Sequence, residues 1–167
     1  IYFEELNISE KTFKIIHFGA LGLANGAEYI IEAAKLLKNS NLFEFLFLGG
    51  GSQEKILKDL CLKYGLNNTK FLGAYSMEKT SEIVNLCDVS VVTFLNIPVL
   101  KTNSPNKLFD SLSAGKPIIV NSSGWTKDLV EKNNCGFYVD PSNPAEFVDR
   151  IYELKNNRKL AIKMGEN

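Results

Sequence analysis

The sequence has one histidine, three cysteines, one tryptophan and no excess of either charge, with 19 Lys plus Arg against 19 Asp plus Glu. Charge neutrality removes the basic excess that nucleic acid or an anionic membrane would demand. No run of four Lys or Arg offers a local substitute. The cysteines, Cys61, Cys87 and Cys135, are odd in number, widely spaced and set in or beside apolar stretches. That pattern argues against a disulfide framework and for reduced, buried thiols in a cytoplasmic protein. No His, Cys or Asp cluster has metal-ligand spacing, so no metal is expected. No apolar run reaches membrane-span length, and no signal-peptide layout is present. The opening at Ile1 rather than Met, and the close at Gly165-Glu166-Asn167 inside a polar helical pattern, suggest part of a longer chain.

What is abundant is alternation. Short apolar runs, "KIIHF" (14–18), "FEFLFL" (43–48), "KFL" (70–72), "VSVVTF" (89–94), "PIIV" (117–120) and "GFYV" (136–139), read as strands. Several lack a polar face, as parallel strands covered on both sides do. Between them lie helical stripes: Ile30, Ala33, Ala34 and Leu37; then Ile56, Leu57, Leu60 and Tyr64, opened by Ser52 and stopped by Gly65. Ile83, Val84 and Cys87 follow Ser76 as a cap, and Phe147, Val148, Ile151 and Leu154 follow Asn143-Pro144. The expected fold is a single Rossmann-like three-layer α/β/α domain with a mostly parallel sheet, residues 1–167.

Ligands of such sheets bind beyond the carboxyl ends of the strands, where the strand order reverses. The loop "GALGLANG", Gly19 to Gly26, follows the first strand, and Gly19 and Gly22 would let backbone approach a ligand. Its spacing is neither the dinucleotide G-x-G-x-x-G nor a P-loop, so a tight strand-to-helix turn explains it equally well. "GGGS" (49–52) reads as a turn and a cap.

The segment "TNSPNKLFDSLSAGKPIIV" (102–120) carries more information. Ser104 reads as an N-cap, Pro105 as the first helical residue, and the apolar residues Leu108, Phe109 and Leu112 continue the helix to Gly115. Lys107 then sits third, a cation at the positive end of the helix dipole, at a cost of roughly 0.3–1 kcal/mol. The other proline-started helix, "NPAE" (143–146), has Glu146 at the matching position, the ordinary choice for a capping box. A lysine beside free N–H groups at Ser104 and Asn106 suits a phosphate; a solvated lysine is the plain alternative. Asp110 lies on nearly the same face, where it either pairs with Lys107 or accepts hydrogen bonds from sugar hydroxyls. Phosphate and sugar contacts together describe a nucleotide.

"SPNKLFDSLSAGKPIIV", preceded by "LCDVSVV" and followed by "DLVEKNNCGFYVDPSNPAEF", resembles the nucleotide-sugar half of the family 4 (group 1) glycosyltransferases. "HFGALGLANGAEYIIEAAKLL" and the stretch from "LFLGGGSQ" to "LCDV" are similar to earlier segments of that family, in the same order, from about Lys14 to Leu154. The resemblance implies a GT-B architecture of two Rossmann-like domains facing across a cleft, this chain being the C-terminal, donor-binding one and the N-terminal acceptor domain lying outside it. It implies a retaining transfer from a nucleotide-diphosphate sugar, UDP-linked by analogy, to a polysaccharide or lipid-linked acceptor at the inner face of the membrane. The nucleotide-sugar is a substrate, and no cofactor is implied.

By position, Asp110 matches the second acid of the family's E-x7-E motif, which grips the ribose. Its partner falls at Thr102, and the usual Arg and Lys after the first strand fall at Ala20 and Asn25, all three neutral. Lys107 thereby becomes the remaining cation for the diphosphate and the catalytic candidate. Tyr75, in the loop matching the family's base-binding loop, either stacks on the base or simply packs. Outside the motif, His17 reads as a hydrogen-bonded core histidine rather than a base, Asp88 as a structural acid, and Trp125 as a residue of a mobile loop, touching an acceptor or docking. A degenerate, non-catalytic nucleotide-binding module and a GT-B nucleotide-sugar epimerase remain as alternatives; the neutral Ala20, Asn25 and Thr102 favour the former.

Overall fold

The longest apolar stretch, "FEFLFL", forms strand β2 (Phe43–Leu48) and is buried along its whole length. It lies in a six-stranded, wholly parallel sheet in a computed structural model that describes residues 2–167. The other strands are β1 (Phe13–Phe18), β3 (Thr69–Gly73), β4 (Val89–Val92), β5 (Ile118–Val120) and β6 (Gly136–Tyr138), in the order β3-β2-β1-β4-β5-β6. Every expected strand is present, with the "VSVVTF" and "GFYV" runs trimmed at their ends and "PIIV" at its start.

Alternation along each strand divides the side chains between two helical layers. Ile15, Phe43, Phe45, Phe47, Val91 and Ile119 face α2 (Glu28–Leu36), α3 (Glu54–Tyr64) and α7 (Pro144–Asn156). Ile16, Phe18, Leu46 and Leu48 face α1 (Tyr2–Glu5) and α4 (Met77–Asn85) on the other side. There Val92, Ile118 and Val120 pack with Leu108 of α5 (Asn106–Ser113) and Val130 of α6 (Trp125–Lys132). A last helix, α8 (Arg158–Glu166), packs against α7. The architecture is the α/β/α sandwich read from the sequence, and Cys61, Cys87 and Cys135 are free and buried within it.

Several helix boundaries differ from expectation. Gln53, not Ser52, precedes α3, whereas Gly65 ends it in the left-handed region and Ser76 caps α4 by accepting the Lys79 amide. Ser104 is not the cap of α5; Pro105 is, with φ −79° and ψ 128°. A residue before proline is biased away from helix, and the Asn103 carbonyl accepts the Trp125 indole N–H at 3.0 Å, which holds this approach extended. Lys107 is therefore the second helical residue, still inside the first turn. In α7 the capping box is not made: the Glu146 carboxylate accepts the Asp140 amide instead, at 2.9 Å. Trp125 lies not on a loop but at the first position of α6, stacked near-parallel on Phe109 with ring centroids 6.2 Å apart. The indole is anchored because its polar edge and its flat face both find partners.

Candidate nucleotide-binding site

The strand order turns back between β1 and β4, and the loops leaving the carboxyl ends of β1, β2 and β3 open a cleft of about 630 Å³. Its floor is laced backbone to backbone. Gly19 N–H donates to the Leu48 carbonyl at 2.8 Å and Gly49 N–H to the Gly73 carbonyl at 2.7 Å. Gly19 has φ +96° and Gly49 φ +130°, and a Cβ on Gly49 would overlap the Gly19 carbonyl. Only glycine allows two strand ends to approach this closely. The result is a wall of main chain at Gly19-Ala20 and Gly49-Gly50 in a cleft that Tyr75 and Asp110 also line.

Lys107, on the first turn of α5, does not itself line the cleft but lies beside Gly19, which does. Its Cε lies 3.6 Å from the place a Gly19 Cβ would occupy, ordinary van der Waals distance, so the lysine stem runs alongside Gly19. The helix turn that carries it is fixed from below: Ser111 Oγ donates to the Lys107 carbonyl at 2.6 Å and lies 2.6 Å from Ser90 Oγ on β4, both serines fully buried. Lys107 makes no ion pair among the described residues, Asp110 included. Its neighbour is His17, with Nζ 3.4 Å from Nε2. Burial pulls the ammonium down to about 8, which shows how little of the site's polarity compensates the charge. His17 is held down at about 3 by burial first and by the Lys107 charge second, with the Val91 and Ala20 backbone opposing weakly. It is a neutral imidazole at any physiological pH.

The fold thus collects Gly19, Tyr75 and Asp110 in the cleft wall with Lys107 beside Gly19. Gly22, Ser104 and Asn106 lie outside the cleft lining: Gly22 gives its amide to Asn25 Oδ1 at 3.1 Å, and Ser104 and Asn106 are exposed ahead of and at the start of α5. Asn25 and Thr102 are engaged locally, the Thr102 hydroxyl donating to the Val99 carbonyl. Tyr75 is 44% exposed, with no aromatic ring contact among the described residues. Sequence reading missed Gly49, taken for a plain turn, and missed His17 as a partner of Lys107. It also missed the α4 side of the cleft, where Thr80, Ser81 and Asn85 face the cavity. Asp88 is structural as expected, accepting the Lys14 amide at 2.7 Å. Among the described residues no cluster of His, Cys, Asp and Glu could hold a metal ion, and no helix is long and apolar enough to cross a membrane.

The pattern of the family Glycosyl transferases group 1 runs along residues 1–167. The chain belongs to that family. An uncharacterized glycosyltransferase of Methanocaldococcus jannaschii is 25% identical over 149 residues, 89% of this chain and 40% of that protein. Among solved structures, Anabaena HepE in complex with UDP-glucose superposes with a TM-score of 0.82 at 21% identity, over 99% of this chain and 45% of that one. The catalytic domain of the cholesterol-α-glucosyltransferase from Helicobacter pylori superposes with a TM-score of 0.73 at 21% identity, over 92% of each chain. Such neighbours are GT-B glycosyltransferases, so this group 1 domain has the fold of that class. It spans 35–42% of the length of the curated relatives it matches.

Proposed function

We propose that this group 1 domain binds the donor of a retaining glycosyltransferase, a nucleotide-diphosphate sugar that is UDP-linked, as the C-terminal half of a GT-B enzyme. The observation that carries the reading is Lys107, a cation without a carboxylate partner among the described residues, held beside bare Gly19 backbone at the carboxyl edge of the sheet. The diphosphate lies against the Gly19 backbone and the first turn of α5, and the Lys107 ammonium and the helix dipole face it. Asp110, one turn on, accepts the ribose hydroxyls, and Tyr75 meets the base. Departure of the diphosphate from the anomeric carbon places negative charge on its oxygens, and Lys107 stabilises that charge without itself exchanging a covalent bond. HepE was solved with UDP-glucose bound, which supports a UDP-linked donor.

The acceptor, polysaccharide or lipid-linked, approaches from an N-terminal domain at the cytoplasmic face of the membrane. This domain alone transfers no sugar, because the acceptor side of the cleft belongs to that partner domain. A second reading, a nucleotide-binding module without turnover, draws on Ala20, Asn25 and Thr102, where charged residues of the family's pattern are absent. Calorimetric titration with UDP, GDP and ADP tests the first reading. UDP is expected to bind in the range of about 10–1000 μM, and Lys107→Ala to weaken it by about 1.5–3 kcal/mol. Equal UDP affinity in the two proteins would remove Lys107 from the site.

A further inference from the structure

We propose that His17 is the positioning residue for Lys107: a buried neutral acceptor that holds the ammonium over the β1 loop without cancelling its charge. The inference rests on the reading of Lys107 as the phosphate-facing cation and says how the fold keeps it there. A lysine at the start of a helix is repelled by the helix dipole and draws its head toward water. Something must hold the head inward. A carboxylate would do so most strongly, but it would form an ion pair and leave little charge for a ligand. Among the described residues none reaches Lys107 within ion-pair distance. The group that does reach it is an imidazole, 90 residues away in sequence, on the second-to-last residue of strand β1, two residues before Gly19.

The chemistry of the pair fixes its proton. An ammonium has donors only, so Nε2 must accept and the ring hydrogen must sit on Nδ1. Among the described residues Nδ1 is buried and makes no hydrogen bond of good geometry, and the Val91 and Ala20 backbone groups near the ring act on it only weakly. The Nε2 side of the ring faces the lysine. His17 is 1% exposed and tilted against Phe47, which fixes its plane. Burial keeps it neutral, in agreement with the acceptor role.

His17→Phe keeps the volume and removes the acceptor; His17→Gln offers an amide oxygen near the place of Nε2. Calorimetry should find UDP bound roughly tenfold more weakly by His17→Phe, and within about threefold of wild type by His17→Gln, thermal melting confirming that both are folded. A folded His17→Phe that binds UDP like wild type, or a His17→Gln as weak as His17→Phe, would overturn the positioning role. Should either variant fail to fold, the wild-type ring still decides. Two-bond 15N–1H correlation of the one histidine should show hydrogen on Nδ1 and a bare Nε2 whose shift moves on adding UDP. An Nε2–H tautomer or an imidazolium would overturn the inference. If Lys107→Ala binds UDP as wild type does, the phosphate reading fails. If Lys107→Ala loses UDP and a folded His17→Phe does not, only the positioning role fails.

Discussion

Ser90 Oγ on β4 and Ser111 Oγ on α5 lie 2.6 Å apart with both residues fully buried, and the direction of that bond is determined. Ser111 already donates its one hydrogen to the Lys107 carbonyl, so Ser90 must be the donor between the two. The chain Ser90 to Ser111 to Lys107 ties the sheet to the turn that carries the cation. Ser111→Ala removes both bonds and strands a buried Ser90 hydroxyl, for an expected loss of about 1–3 kcal/mol. Ser90→Ala leaves the bond to Lys107 in place and should cost less. Urea melts of the two variants and of the double check this. A double variant no less stable than Ser111→Ala alone is the expected pattern, since the stranded donor is then gone. Two equal single effects that simply add would refute the assigned direction.

Lys107 should be a site where stability is given up for binding. Its folded value of about 8 lies below the usual lysine value of 10.5, so the unfolded chain binds the proton more tightly than the folded protein. Protonation therefore favours unfolding: the cost is fully present below about pH 8 and disappears as pH rises toward 10.5. Lys107→Met should stabilise the domain by roughly 1 kcal/mol at pH 7, with the advantage shrinking above pH 8. UDP affinity of the wild type should fall as pH rises through about 8, where the empty site loses its ammonium. The methionine variant, weaker throughout, should show no such fall. Melting curves and UDP titrations at pH 6, 7.5 and 9 measure both.

Much of this arrangement was legible in residue order alone. The β2 run was read with its observed ends because six buried residues in a row, Phe43–Leu48, leave no ambiguity of face. Lys107 stood out because charge at a helix start has a preferred sign. The start of α5 was misplaced by one residue because Ser104 has cap chemistry, and the Trp125–Asn103 bond that keeps this segment extended spans 22 residues. Trp125 itself was misread for the same reason: "NSSG" looks like a flexible loop until Phe109 is brought against the indole. The contact of His17 with Lys107 has no local signature at all. It exists only because the parallel order sets β1 beside β4, with α5 following β4.

Glu44 should govern acid stability without touching the cleft. It sits near the amino end of β2, opposite the loops, where Lys70 Nζ lies 2.8 Å from Oε1 and the Thr12 hydroxyl and Ser9 amide donate to Oε2. Burial alone would raise this carboxyl, but those three donors outweigh it and hold it below the usual carboxylate range. A lowered value means the folded protein favours the ionised form. The stabilisation is present above about pH 4.5 and is lost as pH falls through the lowered folded value. Glu44→Gln should cost about 1.5–3 kcal/mol near neutrality and flatten the acid limb of a pH-stability curve. UDP affinity should not change. A variant that melts like wild type at pH 7 would show that the pair with Lys70 does not stabilise the fold.

Asp110 should distinguish ribose from deoxyribose. The residue is exposed in the cleft wall, one turn beyond Lys107 on the same helix, and the two make no ion pair among the described residues. Its carboxylate is thus free to accept two hydroxyl hydrogens from a sugar whose phosphate lies at the helix start. The reach fits, because three residues of helix advance about 4.5 Å along the axis. Asp110→Asn keeps the shape but replaces one acceptor oxygen by a donor group, so UDP should bind more weakly while 2′,3′-dideoxy-UDP is little affected. The preference for UDP over the dideoxy analogue should fall by roughly tenfold, the scale of one hydrogen bond to a charged group. If Asp110 served only to balance the charge of Lys107, both nucleotides would change affinity by the same factor. Parallel titrations of the two ligands against wild type and variant separate these outcomes, since the phosphate contacts are common to both ligands and cancel in the ratio.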